Sequence, residues 1–186
     1  MTFADMAARA ADEVKAATRA VAADHVTALV EALAGAGRIV CFGCGREGVM
    51  MRALAMRLYH LGLDAHVVGD MSCPPVGPGD LLLVSAGPGD LSTVAALVTL
   101  AKGAGARTAC ITAQPAGGVP QACDTVLVIP AQTMANDQGL AAASTLPMGS
   151  VFEGAMFLTF EILIFLLRDR IGATPDEMRA RHTNLE

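Results

Sequence analysis

The sequence contains no tryptophan, one tyrosine and six phenylalanines, so aromatic residues occupy only 4% of its 186 positions. Hydrophobic residues nevertheless account for 53% of the chain, and the core must therefore be built from alanine, valine, leucine, isoleucine and methionine. A chain of this length can bury a substantial core within one domain. We predict a single domain over residues 1–186.

The sequence also lacks several features that would indicate particular partners. Its net charge of −5 gives no support for a nucleic-acid surface. No basic segment followed by an apolar run opens the chain, so no signal peptide is predicted. The longest apolar run, 155–167, is interrupted by Glu161 and is too short to span a bilayer. It predicts a buried helix that faces another subunit, and no membrane partner.

Cysteine is present in an odd number, five, in a chain without an export signal. This combination indicates reduced thiols and a cytoplasmic location. The segment 41–44 is formally a Cys-x-x-Cys motif, for which a redox pair or half of a metal site is one interpretation. No second Cys or His pair stands at ligand spacing, and Cys41 is better explained as a buried strand residue. We predict no metal site.

A glycine-rich turn lies between an apolar run and a helical pattern. Residues 38–42 have the pattern of a buried strand, a Gly-x-Gly-x-x-Gly turn begins at Gly43, and a helical pattern continues to Leu61. The first N–H groups of a helix lack intrahelical partners and carry the positive end of its dipole, so the turn is a candidate binding loop. A dinucleotide site would need an acidic residue at the end of the second strand, and Asp70 is poorly placed for that role.

Hydrophobic periodicity predicts one long leading helix over residues 2–34, followed by alternating strands and helices. Short apolar runs between helical segments are typical of an α/β fold whose parallel sheet is covered on both faces. The predicted strands are 38–43, 64–68, 80–86, 106–112 and 124–129, and the later helices are 47–61, 91–103, 117–122, 150–171 and 175–181.

Ligands of such sheets bind beyond the carboxyl ends of the strands, at the point where the strand order reverses. Loops 43–48 and 86–93 both follow strands, so we expect them to converge on one pocket. The segment 130–149 is long and lacks periodicity, which is typical of a functional or mobile loop. The predicted organisation is a leading helix over 1–34, a sheet core with its long loop over 35–149, and C-terminal helices over 150–186.

Several segments resemble the sugar isomerase (SIS) domain family, and within it the 6-phospho-3-hexuloisomerases. The resemblance rests on Gly-Arg-Glu-Gly at 45–48, Ala-Met-Arg-Leu-Tyr-His-Leu-Gly at 55–62, and Gly-Asp-Leu-Leu at 79–82. The resemblance to the 6-phospho-3-hexuloisomerases in particular rests on Pro-Met-Gly-Ser-Val-Phe-Glu at 147–153 and on the ending Arg-His-Thr-Asn-Leu-Glu at 181–186.

The resemblance implies a flavodoxin-like three-layer sandwich with a five-stranded parallel sheet, a homotetramer, and no metal or organic cofactor. It implies interconversion of D-arabino-3-hexulose 6-phosphate and fructose 6-phosphate by proton transfer through an enediol. Such a reaction needs a base at the carbon that loses its proton and an acid that serves the oxygens. Glu153 matches the base of the family, and His182 matches its acid–base partner, contributed across a subunit interface. Arg46 could hold a phosphate or a polarised oxygen.

Two loops depart from the family pattern. Where the family has Gly-Arg-Ser-Gly, this chain has Glu47, and three hydroxyl positions of the second loop are Ala86, Pro88 and Leu91. A carboxylate about 5 Å from a phosphate repels it by about 3 kcal/mol per charge pair at an effective dielectric of roughly 20. Our hypothesis is that the proton-transfer pair survives and the phosphate site is rebuilt for an unphosphorylated or amine-bearing sugar. The candidate substrate contacts are Gly43, Gly45, Arg46, Glu47, Ser85, Gly87, Gly89, Asp90, Ser92 and Thr93.

Simpler interpretations remain open for the candidate catalytic residues. Glu153 could merely favour the dipole in the first turn of its helix, and His182 could be a solvated residue near a chain end. An alternative to the enzyme is a carbohydrate-binding SIS domain that acts as a sensor without turnover. Sensors of this family are usually joined to a DNA-binding module, and nothing in this sequence resembles one.

Overall fold

The computed structural model describes residues 1–139 and 143–185 and contains seven α-helices and five strands in those ranges. The elements are α1 (Phe3–Arg19), α2 (Ala23–Ala34), β1 (Ile39–Phe42), α3 (Gly45–His60), β2 (Ala65–Val67), β3 (Leu81–Ser85), α4 (Ser92–Gly103), β4 (Arg107–Thr112), α5 (Gly118–Ala122), β5 (Thr125–Val128), α6 (Ser150–Ile171) and α7 (Pro175–Ala180). A 3-10 turn, Pro147–Gly149, leads directly into α6. The predicted strands and later helices are confirmed to within two residues at each end.

The five strands form one parallel sheet in the order β2-β1-β3-β4-β5. This is the flavodoxin-like order, in which the chain first winds to one side of β1 and then to the other. The strand order therefore reverses between β1 and β3. All five residues of β3 are buried, as expected for the central strand of a sheet that is covered on both faces.

Alternate strand residues supply two separate cores, one on each face of the sheet. Cys41 and Leu83 point into the larger core, which also contains the buried residues of α2, α3 and α6. Val40 and Val84 point into the smaller core beneath α4 and α5. The predicted three-layer sandwich is confirmed, and aliphatic side chains dominate both cores.

The single leading helix predicted over 2–34 is wrong, because the chain forms two helices that are separated at residues 20–22. No glycine or proline marks this break. It lets Val21 pack against the larger core, and it lets α2 lie along β5 while α1 packs on α6. The outcome depends on tertiary packing, which the periodicity of the sequence does not contain.

Helix α6 is the central helix of its layer and contacts α1, α2 and α3. The segment Pro147–Ile171 is long and apolar enough to cross a membrane by length and composition, with mean hydropathy 1.9. The run 155–167 is only the central part of this helix, and the prediction that it is too short to span a bilayer is wrong for the segment as a whole. Half of an 18-residue apolar window in that segment is buried within the fold, which is typical of a core helix. Glu161 interrupts its apolar surface and forms a bidentate pair, at 3.0 Å, with Arg57 of α3.

Candidate active site

The turn between β1 and α3 lies at the point where the strand order reverses. Gly43 has no room for a side chain, because a Cβ atom would lie 3.0 Å from both the Gly48 nitrogen and the Met51 Cγ. Gly45 has a φ of 55° and faces open space, so it permits the backbone to turn into the helix. No side chain caps the N-terminus of α3. The sequence-predicted binding loop is thus at the edge of the sheet where ligands bind.

Glu47 connects this turn to the end of β3. One of its carboxylate oxygens accepts a hydrogen bond from the Ser85 hydroxyl and another from the Gly87 N–H, the latter at 2.9 Å. The residue is only 9% exposed. Burial raises the pKa of the Glu47 carboxyl, and the hydrogen bonds from Ser85 and Gly87 act in the opposite direction. The two predicted loops do converge, and a carboxylate of the protein joins them.

Arg46 connects the same turn to the start of α6. Its guanidinium donates hydrogen bonds to the Ser150 hydroxyl, at 2.6 Å, and to the Met148 carbonyl. It also lies 3.3 Å from one carboxylate oxygen of Glu153. Ser150 and Met148 were not among the sequence-predicted site residues. The Pro-Met-Gly-Ser run that precedes Glu153 was the signal that could have identified them.

Met148 and Gly149 give the approach to α6 a tight turn. Met148 has a φ of 56°, which is the left-handed conformation that residues other than glycine rarely adopt. Gly149 has a φ of 74°, and a Cβ there would lie 2.8 Å from the Thr133 Cα. The turn therefore brings the segment that contains Thr133 against the first turn of α6, where Glu153 is located.

Glu153 lies in the first turn of α6, with a side chain that is 16% exposed. Its second carboxylate oxygen is buried and has no hydrogen-bond partner among the residues that the structure describes. Burial raises the pKa of the Glu153 carboxyl, the charge of Arg46 lowers it, and the charge of Glu47 raises it further. A carboxylate with an unused buried lone pair and a raised pKa is suited to accept a proton.

Glu47 and Glu153 line the same cavity, which has a volume of about 40 Å³. A single water molecule needs at least roughly 10–15 Å³ of cavity volume, so the space between its walls holds only a few water molecules. Met134 and Met148 contribute to those walls, and both are more than half exposed. The remaining wall residues are Pro88, Thr133, Gly149 and Phe152.

The other predicted contacts in the second loop do not line this cavity. Asp90 accepts a hydrogen bond from the Gly118 N–H at 2.6 Å, so its carboxylate is engaged at the start of α5. Ser92 and Thr93 are exposed in the first turn of α4. Gly89 is buried with a φ of 88°, and its Cα packs against Gly117. Within one chain, Glu47 is the one member of the predicted contact set that lines this cavity, and Ser85 and Gly87 are joined to it by hydrogen bonds.

His182 lies at the opposite end of α3 from this cavity. Its ring stacks on the ring of His60 with centroids 5.4 Å apart, and its Nδ1 is 3.1 Å from the Thr183 carbonyl. Between Glu47 and His60 the helix advances by about 20 Å at 1.5 Å per residue. Glu153 and His182 of the same chain therefore do not meet. The role of His182 stays a prediction that requires a neighbouring subunit.

Neither the buried Cys41 thiol nor a metal-binding cluster of the described residues adds to this site. Cys41 is fully buried, and burial raises the pKa of its thiol to about 12, as expected for an inert core residue. Within residues 1–139 and 143–185, no three His, Cys, Asp or Glu side chains come together in a way that could hold a metal ion.

The fold and the site define a class of protein. It is a doubly wound α/β protein with a small cavity that contains two glutamates at the carboxyl edge of its sheet, where proteins of this class bind small molecules. Residues 32–156 match the model of the SIS domain. The chain belongs to the SIS domain family.

Known relatives agree with this assignment. The chain is 38% identical over 175 residues to a 3-hexulose-6-phosphate isomerase of Mycobacterium gastri, a match that covers 94% of this chain and 87% of that protein. It is 30% identical to a 3-hexulose-6-phosphate isomerase of Bacillus subtilis, with 85% of each chain covered. It also resembles a crystal structure from Methanococcus jannaschii for which the function of 3-hexulose-6-phosphate isomerase was inferred. The TM-score is 0.77 at 27% identity, and the match covers 88% of this chain and 86% of that one.

Proposed function

We propose that this protein is a sugar isomerase that moves a proton between neighbouring carbons through an enediol, with Glu153 as the base. The observation that carries the proposal is the buried carboxylate oxygen of Glu153 that lacks a hydrogen-bond partner among the described residues. A buried oxygen without a hydrogen-bond partner destabilises the fold, and the same oxygen is available to accept a proton from a substrate C–H group. Arg46 contacts the other oxygen, and its charge lowers the pKa of the Glu153 carboxyl, which favours the ionised form.

The family membership and the relatives support a proposal for the substrate class. The curated relatives of Mycobacterium gastri and Bacillus subtilis are 3-hexulose-6-phosphate isomerases, and they match most of this chain. We propose a small sugar or sugar phosphate as the ligand and no resident cofactor, over a single SIS domain of residues 1–186. Arg46 is proposed to polarise a substrate oxygen, because its guanidinium lies 3.3 Å from a carboxylate oxygen of Glu153, the proposed base.

The enzyme is proposed to act as a homotetramer in the cytoplasm. Large apolar side chains are exposed along one side of α6, which supports an interface there; they are Phe157, Leu158, Ile162, Phe165 and Leu166. An assembly would also allow His182 of one subunit to reach the cavity of another as the acid–base partner. The five cysteines are all free thiols, which supports a reducing compartment.

A sensor without turnover is the second candidate. Its support is Glu47, whose carboxylate accepts the hydrogen bonds of the Ser85 hydroxyl and the Gly87 N–H and lines the cavity of about 40 Å³. A sensor needs binding and a change of shape, and it does not need a base with a free lone pair. The unpaired oxygen of Glu153 therefore favours the enzyme.

Exchange of substrate hydrogen in D2O tests the proposal. The protein is incubated with the 2-ketoses fructose 6-phosphate, fructose and 1-amino-1-deoxyfructose in separate samples, and NMR follows deuterium at the exchanging carbon and the appearance of a 3-ketose. We expect exchange with at least one sugar, and we expect Glu153→Gln to reduce it by a factor of about 10² to 10⁴. Glu31→Gln, a surface change far from the cavity, is the control. Binding without exchange by the unmodified protein would favour the sensor.

A further inference from the structure

The hydrogen-bond donors at the end of β3 face a carboxylate that belongs to the protein itself. Glu47 receives the Ser85 O–H and the Gly87 N–H, and it is almost completely buried. Exposed donors at the start of a helix or the end of a strand in this fold are where a bound anion is expected. Here that anion is supplied by the chain.

The neighbouring backbone leaves no spare donor in the stretch from Ala86 to Gly89. The Ala86 N–H donates to the Ile111 carbonyl, the Gly89 N–H donates to the Ala86 carbonyl, and Pro88 has no N–H. With the Gly87 N–H committed to Glu47, all four positions are accounted for. A substrate phosphate at this place would have to displace Glu47 before it could accept a hydrogen bond.

The local packing is matched to the carboxylate. A Cβ atom at Gly87 would lie 2.8 Å from a Glu47 oxygen and 2.7 Å from the Phe152 ring. Only a residue without a side chain lets Glu47 approach the Gly87 nitrogen. The arrangement is therefore formed by several residues that fit one another, and it is not a surface carboxylate that happens to point inward.

The charge of the cavity also opposes a second anion. Glu47 and Glu153 both line it, and Arg46 is the cation in contact with Glu153. When both carboxyl groups are ionised, the three side chains sum to a charge of −1. A phosphate dianion would be repelled by two carboxylates, whereas a hydroxyl group would meet acceptors for its hydrogen.

We propose that Glu47 is the specificity-determining residue of this site, and that the substrate is a sugar without a phosphate group at the end that enters beside β3. This inference rests on the proposed function, since it names the substrate class of the same site. Because Glu47 is part of the chain, its carboxylate already occupies the position beside β3 where a bound anion would lie. A sugar hydroxyl can donate a hydrogen bond to its remaining carboxylate oxygen.

Titration with inorganic phosphate and with fructose 6-phosphate tests the inference by calorimetry on the full chain. We expect weak binding to the unmodified protein and at least tenfold tighter binding to Glu47→Ser, which frees two donors and removes one charge. Glu47→Gln keeps the volume and removes only the charge, so its gain should be smaller but above threefold. Asp90→Asn removes an equal charge nearby and leaves the donors occupied, and we expect it to change affinity by less than threefold.

Each outcome bears on the inference. Micromolar binding of fructose 6-phosphate by the unmodified protein overturns it, as does a folded Glu47→Ser variant without gain. If Glu47→Ser does not fold, which a thermal melt shows, the gain expected for Glu47→Gln decides.

The D2O exchange experiment tests the proposed function separately from this inference. Exchange with fructose 6-phosphate by the unmodified protein keeps the isomerase and overturns the inference. Absence of exchange with every sugar, together with a phosphate gain in Glu47→Ser, overturns the isomerase and keeps the role of Glu47 in excluding phosphate.

Discussion

A guanidinium nitrogen of Arg46 lies 3.3 Å from a carboxylate oxygen of Glu153, and this contact joins the first turn of α3 to the first turn of α6. Burial is the largest influence on the Glu153 carboxyl and raises its pKa, while Arg46 lowers it. A base must be ionised to accept a proton. The proton-transfer rate should therefore rise with pH, and its acid limb should lie above the ordinary glutamate value of 4.5.

Arg46→Gln should move that acid limb to higher pH, because it removes the charge that lowers the Glu153 pKa. Arg46→Lys keeps a positive charge and should leave the limb closer to its original position. The measurement is kcat/KM for hydrogen exchange between pH 4 and pH 9. Arg52→Gln, on the same helix but paired with the exposed Asp70, should not move the limb. An unchanged limb in Arg46→Gln would show that Arg46 does not set the protonation of the base.

Gly87→Ala should disrupt the cavity, because its Cβ would lie 2.7 Å from Phe152 and 2.8 Å from Glu47. We expect a loss of about 1–3 kcal/mol in the free energy of unfolding, as for other overpacked sites, and a fall in exchange activity. Urea unfolding measures the first effect and NMR the second. Gly103→Ala is the matched control, since nothing lies within 4 Å of its Cβ position at the end of α4. It should be neutral or stabilising by up to about 1 kcal/mol.

The exposed apolar side of α6 should be an interface. Ile162 lies at the centre of this apolar side and is 46% exposed. Ile162→Arg should shift the protein to a smaller oligomer, as measured by light scattering, because burying an unpaired arginine in the interface is costly. Leu100→Arg makes the same change at a side chain that is 69% exposed on α4, across the sheet, and it should leave the mass unchanged. Equal masses for both variants and the unmodified protein would argue against an interface on α6.

Complementation between inactive subunits tests the role of His182. Glu153→Gln and His182→Asn should each be nearly inactive alone. If His182 acts across an interface, mixed oligomers contain some sites with an intact Glu153 from one subunit and an intact His182 from another. Mild unfolding and joint refolding should therefore restore part of the activity. Failure of the mixture, with mixed oligomers shown by mass spectrometry, would show that His182 of one subunit does not serve the cavity of another.

The architecture could be predicted from the sequence because it depends on local patterns. Short apolar runs and helical periodicity predicted the five strands and the later helices, and the glycine turn at Gly43 indicated the edge of the sheet where ligands bind. The break near Val21 could not be predicted, because no residue type marks it and only packing on the core produces it.

The site was only partly predictable for a similar reason. The departure at Glu47 was visible in the sequence, but its partners were not, because Ser85 and Gly87 are brought to it by the parallel pairing of β1 with β3. The separation of His182 from Glu153 follows from the length of α3, which places the two ends of one helix at different surfaces. Distances of this kind are tertiary quantities, and a motif does not contain them.

Glu13 of α1 should hold the segment that leads into the candidate active site. Its carboxylate accepts a hydrogen bond from the Ser144 hydroxyl and another, at 2.8 Å, from the Thr145 N–H. Burial raises the pKa of Glu13, but the hydrogen bonds from Ser144 and Thr145 together keep it below its usual value of 4.5. The stabilisation is thus present above pH 4.5 and is lost as the pH falls through the lowered pKa.

Glu13→Ala should therefore loosen this segment by about 1–2 kcal/mol, the value of two hydrogen bonds at a partly exposed site. Hydrogen exchange at the Thr145 amide measures the effect, and we expect faster exchange in the variant at pH 7 with global stability almost unchanged. Asp12→Ala, one position away on the exposed side of α1, is the control and should not alter exchange at Thr145. At acid pH the unmodified protein should approach the behaviour of Glu13→Ala, because protonation removes the same acceptor. Equal protection of Thr145 in both proteins at pH 7 would mean that other contacts hold the segment in place.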